Sequence, residues 1–379
     1  MKILKGIAWN HTRGFTSVVA TAQRFEELYP DVRIVWEKRS LQAFADATLS
    51  ELTANYDLLI MDNPHVSIAA RDKVLLPFDD YLSADFLKEL AENSVGKSND
   101  SYNVNGQQWT LATDAATPIA TWREDLVQQQ YIKVPKTWKE LMELAKTGKV
   151  GFASIPIDTL MHHYMMCIAL GGNVFDSKTE VAPQEVMIDA VKTYKELVDL
   201  VPSYCLEMNP IKMAEHMTRT NEIVYSPFNY GYSNYSKKNY ADHCLKAGGL
   251  VTFNGQRLRS TLGGAGIAVS AKTEHAEAAM KYAEFTASEK IQSGLYFEFG
   301  GQPGHRRSWL SDEVNSQCKN FFKDTLQTLD EATMRPQYYG YMHFQDEASP
   351  VIHEAVSGKI SIESAVDKMN SIYKESLTH

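Results

Sequence analysis

Three short apolar runs near the start of the chain share one pattern. Residues 3–9 are apolar apart from Lys5, residues 32–37 alternate Val32, Ile34 and Trp36 with Arg33 and Glu37, and residues 57–62 contain Leu58, Leu59, Ile60 and Met61. Each run predicts a strand. Between the first two, residues 16–29 place Val18, Ala22, Phe25 and Tyr29 at helical spacing, with Pro30 as a stop. Between the second and third, residues 41–55 carry Phe44, Thr48 and Leu52 on one helical face. A β-α-β-α-β order with right-handed crossovers gives a parallel sheet, whose ligands sit beyond the carboxyl ends of the strands. Those ends carry Trp9, Asn10 and His11; Arg39, Ser40 and Gln42; and Asp62, Asn63 and His65. The pattern therefore predicts a binding site before any other chemistry.

Further along, residues 69–76 and 81–93 predict helices, and 94–108 a surface loop or hairpin with turn residues at Gly96, Asn99 and Gly106. Residues 119–122 and 149–155 predict strands. Thr137 and Glu140 form a capping box at the start of a helix, and 159–170 and 183–201 predict two more. Residues 222–226 predict a strand whose exit, Phe228, Asn229, Tyr230 and Tyr232, matches the first three exits in character. Residues 261–270, rich in glycine, predict a strand, followed by helices over 273–287 and 288–299. Three helices are expected over 312–329, 349–356 and 361–377.

Length and charge narrow the class. A chain of 379 residues suits two domains, and 44% hydrophobic with 22% charged residues is ordinary for a globular protein. A net charge of −9 argues against a nucleic-acid partner. The four cysteines lie far apart with no C-x-x-C pair, which reads as buried or free thiols. No G-x-S-x-G, H-E-x-x-H or Walker sequence occurs, so neither catalysis nor a cofactor is expected. His162 and His163 are adjacent on an apolar helix and project about 100° apart, which fits one packed and one surface histidine better than a metal pair. Residues 1–5 run straight into the first strand without an apolar leader, so the expectation is a mature exported form, or a cytoplasmic protein if Met1 is the native start.

The candidate binding residues follow from the exits. Trp9 offers an apolar face for a sugar ring, or fills a core. His11 and Arg13 precede a helix whose N-terminal amides favour an anion or hydroxyl. Ser40, Gln42 and Asp62 can bond ligand hydroxyls or cap helices. His65 shares the third exit, and Asp114 and Thr117 fall where the chain is expected to cross between domains. Phe228, Asn229, Tyr230 and Tyr232 are the second domain's contribution. Gly264 allows close backbone approach, and Arg306 offers a cation or a structural pair.

Ordered landmarks then carry a resemblance. These are Phe25-Glu26-Glu27-Leu28-Tyr29-Pro30-Asp31-Val32, Tyr56-Asp57-Leu58-Leu59 and Trp122-Arg123-Glu124-Asp125-Leu126. Next comes the P-x-T-W-x-E-L box at 135–141, then Gly263-Gly264-Ala265-Gly266-Ile267-Ala268-Val269 and Gly301-Gln302-Pro303-Gly304-His305-Arg306-Arg307-Ser308. Over nearly its whole length the chain resembles the extracellular solute-binding proteins of ABC importers, in the branch that includes sugar and maltose binders. The resemblance implies two α/β lobes, each a mainly parallel sheet flanked by helices, joined by hinge strands and closing on ligand. Crossings near 111–114 and 259–264 put residues 1–111 and 262–310 in lobe I, and 112–261 and 311–379 in lobe II. It also implies a monomer, a small-molecule ligand (a carbohydrate or sugar acid) and an ABC permease as partner if the protein is exported. An organic acid, a ferric ion held by Tyr230 and Tyr232, or a cytoplasmic enzyme or sensor on the same fold are the alternatives.

Overall fold

A computed structural model describes residues 1–40 and 48–379. The predicted helix over 41–55 is seen as Leu49–Asn55, opened by a capping box between Thr48 and Glu51; residues 41–47, including Gln42, lie outside the described residues. The chain divides into two compact units, Met1–Ala116 with Leu262–Gln317, and Thr117–Thr261 with Cys318–His379.

The first unit is built on a five-stranded sheet. Strands β1 (Lys2–Trp9), β2 (Val32–Arg39) and β3 (Leu58–Asp62) form its parallel part, with β1 between the other two. The glycine-rich strand Ala265–Val269 joins β3 antiparallel, and Leu111–Ala112 closes the other side. Alternation explains the layers. Val32, Ile34 and Trp36 face helices Ser17–Leu28 and Ala276–Ala287 in one core. Ile7, Leu59, Met61 and Ala268 face Leu49 and helix Val66–Asp72 on the other side. Helix Ala84–Glu92 and the hairpin Asn103–Val104 with Gln107–Gln108 complete this part. After Ala276–Ala287 the predicted helix over 288–299 is interrupted, because Gly294 departs from helical dihedrals.

The second unit holds a three-stranded ladder, Pro118–Trp122 between Tyr225–Tyr230 and Lys246–Gly248, and all its pairings are antiparallel. A mainly parallel sheet therefore describes β1–β3 but not this ladder. The predicted strand over 149–155 is extended but makes one parallel bridge, Val150 to Tyr225, so the expected parallel neighbour is reduced to a short contact. Helices Trp138–Ala145, Pro156–Ala169, Gln184–Val198, Tyr341–Val356 and Ile362–Ser376 enclose the largest core. The helix expected to begin at 349 begins at Tyr341 and runs through Pro350, a tolerated interior proline on the exposed side. His163 is not at the surface. It is buried beside Cys167, with Nε2 at 3.5 Å from Sγ. The four cysteines are free thiols. Among the described residues no helix is long and apolar enough to cross a membrane.

Candidate functional site

Because β2 and β3 both run parallel to β1, their carboxyl ends share one edge of the first unit's sheet. Trp9, Ser40 and Asp62 stand there. Ala265 pairs with Asp62, and the Asp114 amide donates to the Ala265 carbonyl at 2.8 Å, which brings Gly264 and Asp114 to the same edge. The structure thus gathers most of the sequence-derived candidates of this unit in one place.

Their environments differ. Trp9 is buried and its ring lies against Gly14, where a Cβ would collide with it. His11 caps a five-residue turn, Thr12–Thr16, by accepting the Arg13 amide on Nδ1 at 3.0 Å. Burial, then the neighbouring Arg13, lowers its pKa to about 3, so the imidazole is neutral. Arg13 is buried and its guanidinium binds both carboxylate oxygens of Asp114, with Nε to Oδ2 at 2.7 Å. The Ala265 amide adds a third bond to that carboxylate at 3.2 Å. Burial raises the Asp114 pKa against the pull of these donors.

Gly264 has φ of +110°, and a Cβ there would lie 2.6 Å from the Asp114 carbonyl oxygen, so the position requires glycine. Asp62 accepts the Asn63 amide at 2.8 Å and caps the short turn Asn63–His65. Ser40 is exposed, and Asp62 and His65 are partly so. The Arg306 amide donates to the Asn93 carbonyl, and its Nε to that of Ser94 at 3.3 Å.

In the second unit the register pairs Pro118 with Tyr230, so Thr117 and the 230–232 exit occupy one end of the ladder. Thr117 Oγ1 lies 2.6 Å from Ser260 Oγ and donates to the Thr261 carbonyl at 3.0 Å. The Tyr230 hydroxyl donates to the same carbonyl at 3.4 Å. Phe228 is a core residue, stacked on Trp138 with centroids 6.2 Å apart. Asn229 is buried and donates to the Pro210 carbonyl at 3.1 Å. Tyr230 and Tyr232 keep part of their surface.

Two positions are not among the candidate binding residues. Arg39 ends β2 opposite Trp9, half buried, and loss of hydration lowers its pKa. It obeys the strand-end rule that selected Ser40, one residue later. The segment Arg335 to Tyr341 has the same aromatic-polar composition as 228–232, and Arg335 is buried with Nη1 donating to Gln345 Oε1 at 3.3 Å. Its signal was hidden because it lies in no strand exit.

Residues 20–315 match the model of the bacterial extracellular solute-binding protein family. The chain belongs to that family. The solute-binding protein also shares its two-unit α/β fold with solved relatives across essentially their full length. Maltose-bound MalE3 of T. maritima is 18% identical, with a TM-score of 0.83 and coverage of 99% of this chain and 100% of that one. The α-D-tagatose-bound ABC transporter solute-binding protein of Thermotoga lettingae is 17% identical, TM-score 0.84, covering 100% of both chains. A ribitol complex from Agrobacterium radiobacter is 18% identical, TM-score 0.83, covering 99% and 98%. In the solute-binding protein the sequence landmarks are framework. Arg123 is buried, binds Asp125 with two nitrogens, and donates through Nη1 to the Met217 and Thr220 carbonyls. Thr137 and Glu140 form the expected capping box. Gln302 donates to the Ala115 carbonyl at 2.8 Å, and the Gly304 amide to Gln292 Oε1 at 2.9 Å.

Proposed function

We propose that this solute-binding protein captures a carbohydrate or polyol and delivers it, as an exported monomer, to the permease of an ABC importer. The observation that carries the reading is the character of the strand exits. Each unit offers exposed or partly exposed hydroxyl, carboxylate, imidazole or phenol groups beside buried aromatic framework: Ser40, Asp62 and His65 in one, Tyr230 and Tyr232 in the other. Hydrogen-bond donors and acceptors beside aromatic rings suit polyhydroxylated ligands. The bound sugars and polyol of its structural relatives support the same class. Hinge closure on ligand, implied by the resemblance, is the corresponding mechanism, and its extent is limited by the ligand's differential affinity for the closed state.

An acidic ligand is the second reading. It does not draw on His11, which is neutral, or on Arg13, which is committed to Asp114. It rests on Arg39, a half-buried cation that ends β2 at the same sheet edge as Ser40 and Asp62. A thermal-shift panel of neutral sugars, polyols, sugar acids and organic acids tests both. A ligand at a thousand times its dissociation constant stabilises by about 4 kcal/mol, a shift of several degrees. Neutral hits support the first reading and acid hits the second. No shift across the panel overturns both.

A further inference from the structure

Helices Tyr341–Val356 and Ile362–Ser376 lie antiparallel against the second unit's core, and their ends bring two histidines and a carboxylate together. His343 is in the first turn of one helix, Glu375 in the last turn of the other, and His379 follows it. His343 Nε2 is 4.0 Å from Glu375 Oε1, and the His343 and His379 ring centroids are 4.2 Å apart. One ligand atom from each of the three lies within 4.8 Å of the others. We propose that His343, Glu375 and His379 form a binding site for a divalent d-block cation of the zinc type, separate from solute capture.

The donor set is what such a cation selects: two imidazoles and a carboxylate leave a fourth position for water. Ligand atoms on tetrahedral zinc stand about 3.3 Å apart, given bonds of about 2.0–2.1 Å. The cluster therefore needs to contract by about an ångström. Rotation of these partly or fully exposed side chains supplies that without moving the helices. The backbone beneath them is fixed. Gly340 packs directly on the Ser376 carbonyl, the Tyr338 hydroxyl lies 2.8 Å from Ser376 Oγ, and Tyr341 and Tyr373 are buried. Among the described residues, the three side chains make no hydrogen bond or ion pair outside the cluster.

A second triad shows why that matters. Glu89, Glu289 and His305 are equally close together, but their donor atoms are committed. His305 Nδ1 accepts the Arg307 amide at 3.3 Å, and its Nε2 lies 3.0 Å from Glu89 Oε1. Glu289 meanwhile holds the Arg307 guanidinium at 2.6 Å. A metal there would displace both a helix cap and an ion pair.

The test is calorimetric titration of the untagged, chelator-treated full chain with zinc chloride, comparing wild type with H343A, H379A and E375Q. The expected result is one equivalent bound and an affinity about tenfold or more weaker in each variant. Zinc is also expected to raise the wild-type melting temperature and not that of H343A. The variants should melt like wild type without metal, because the side chains lie at or near the surface. Absence of saturable binding at millimolar zinc, or unchanged binding in H343A and H379A, overturns the proposal.

Discussion

Arg13 and Asp114 stand 101 positions apart and form a buried two-point ion pair, with Arg13 Nε donating to Asp114 Oδ2 at 2.7 Å. The pair ties the turn after β1 to the chain just before it leaves the first unit. Removing one partner leaves the other charge buried and uncompensated, which costs about 3–5 kcal/mol. R13A and D114A are therefore expected to lower the melting temperature by several degrees. If either melts like wild type, the pair is not structural.

Trp9 and Tyr232 were selected by the same argument and should behave differently. Trp9 is a core side chain in contact with Gly14, so W9A should cost about 3–5 kcal/mol of stability. Tyr232 is partly exposed, so Y232A should keep the wild-type melting temperature while weakening binding of any sugar found by the ligand panel. An unstable Y232A, or a stable W9A, would reverse these assignments.

Gly264 tests the glycine-rich strand. Alanine there would need a positive φ and would press on the Asp114 carbonyl, so G264A should lose about 1–3 kcal/mol by chemical denaturation. An unchanged denaturation midpoint would mean that the backbone relaxes freely at this point.

These contrasts show what a single sequence reveals. The first three strands were legible because alternation and apolar runs encode which faces are buried. The exits followed from their order. Whether a residue at an exit faces solvent or its own unit was not legible, because Arg13 finds its partner 101 positions away. The sequence pattern predicts only 349–356 of helix Tyr341–Val356, whereas packing of Phe344, Ala348, Val351 and Ile352 carries the helix through Pro350. Residues 149–155 have strand composition but only one bridging neighbour, a difference set by tertiary placement rather than propensity.

The second unit should have a stability optimum near pH 6.5, set by three groups buried around helix Pro156–Ala169. His162 lies 2.9 Å from the Tyr194 hydroxyl, and burial lowers its pKa to about 3; burial lowers that of His163 to about 4. Both stay neutral in the fold but protonate in the unfolded chain below about pH 6.5. The unfolded state then holds more protons, and stability falls as pH drops through that window, by up to about 1.4 kcal/mol per unit per group. Asp158 acts in the opposite sense. Among the described residues its Oδ2 is buried without a hydrogen-bond partner, and desolvation raises its pKa to about 8. The folded state therefore keeps a proton that the unfolded chain releases above about pH 4, and stability falls as pH rises from there to about 8. Between pH 4 and 6.5 the two histidines outweigh the single carboxyl; above 6.5 the carboxyl acts alone. D158N, which keeps the shape and removes the charge, should raise the melting temperature at pH 8.5 and change it little at pH 4. Equal effects at the two pH values would show that Asp158 is ionised in the fold.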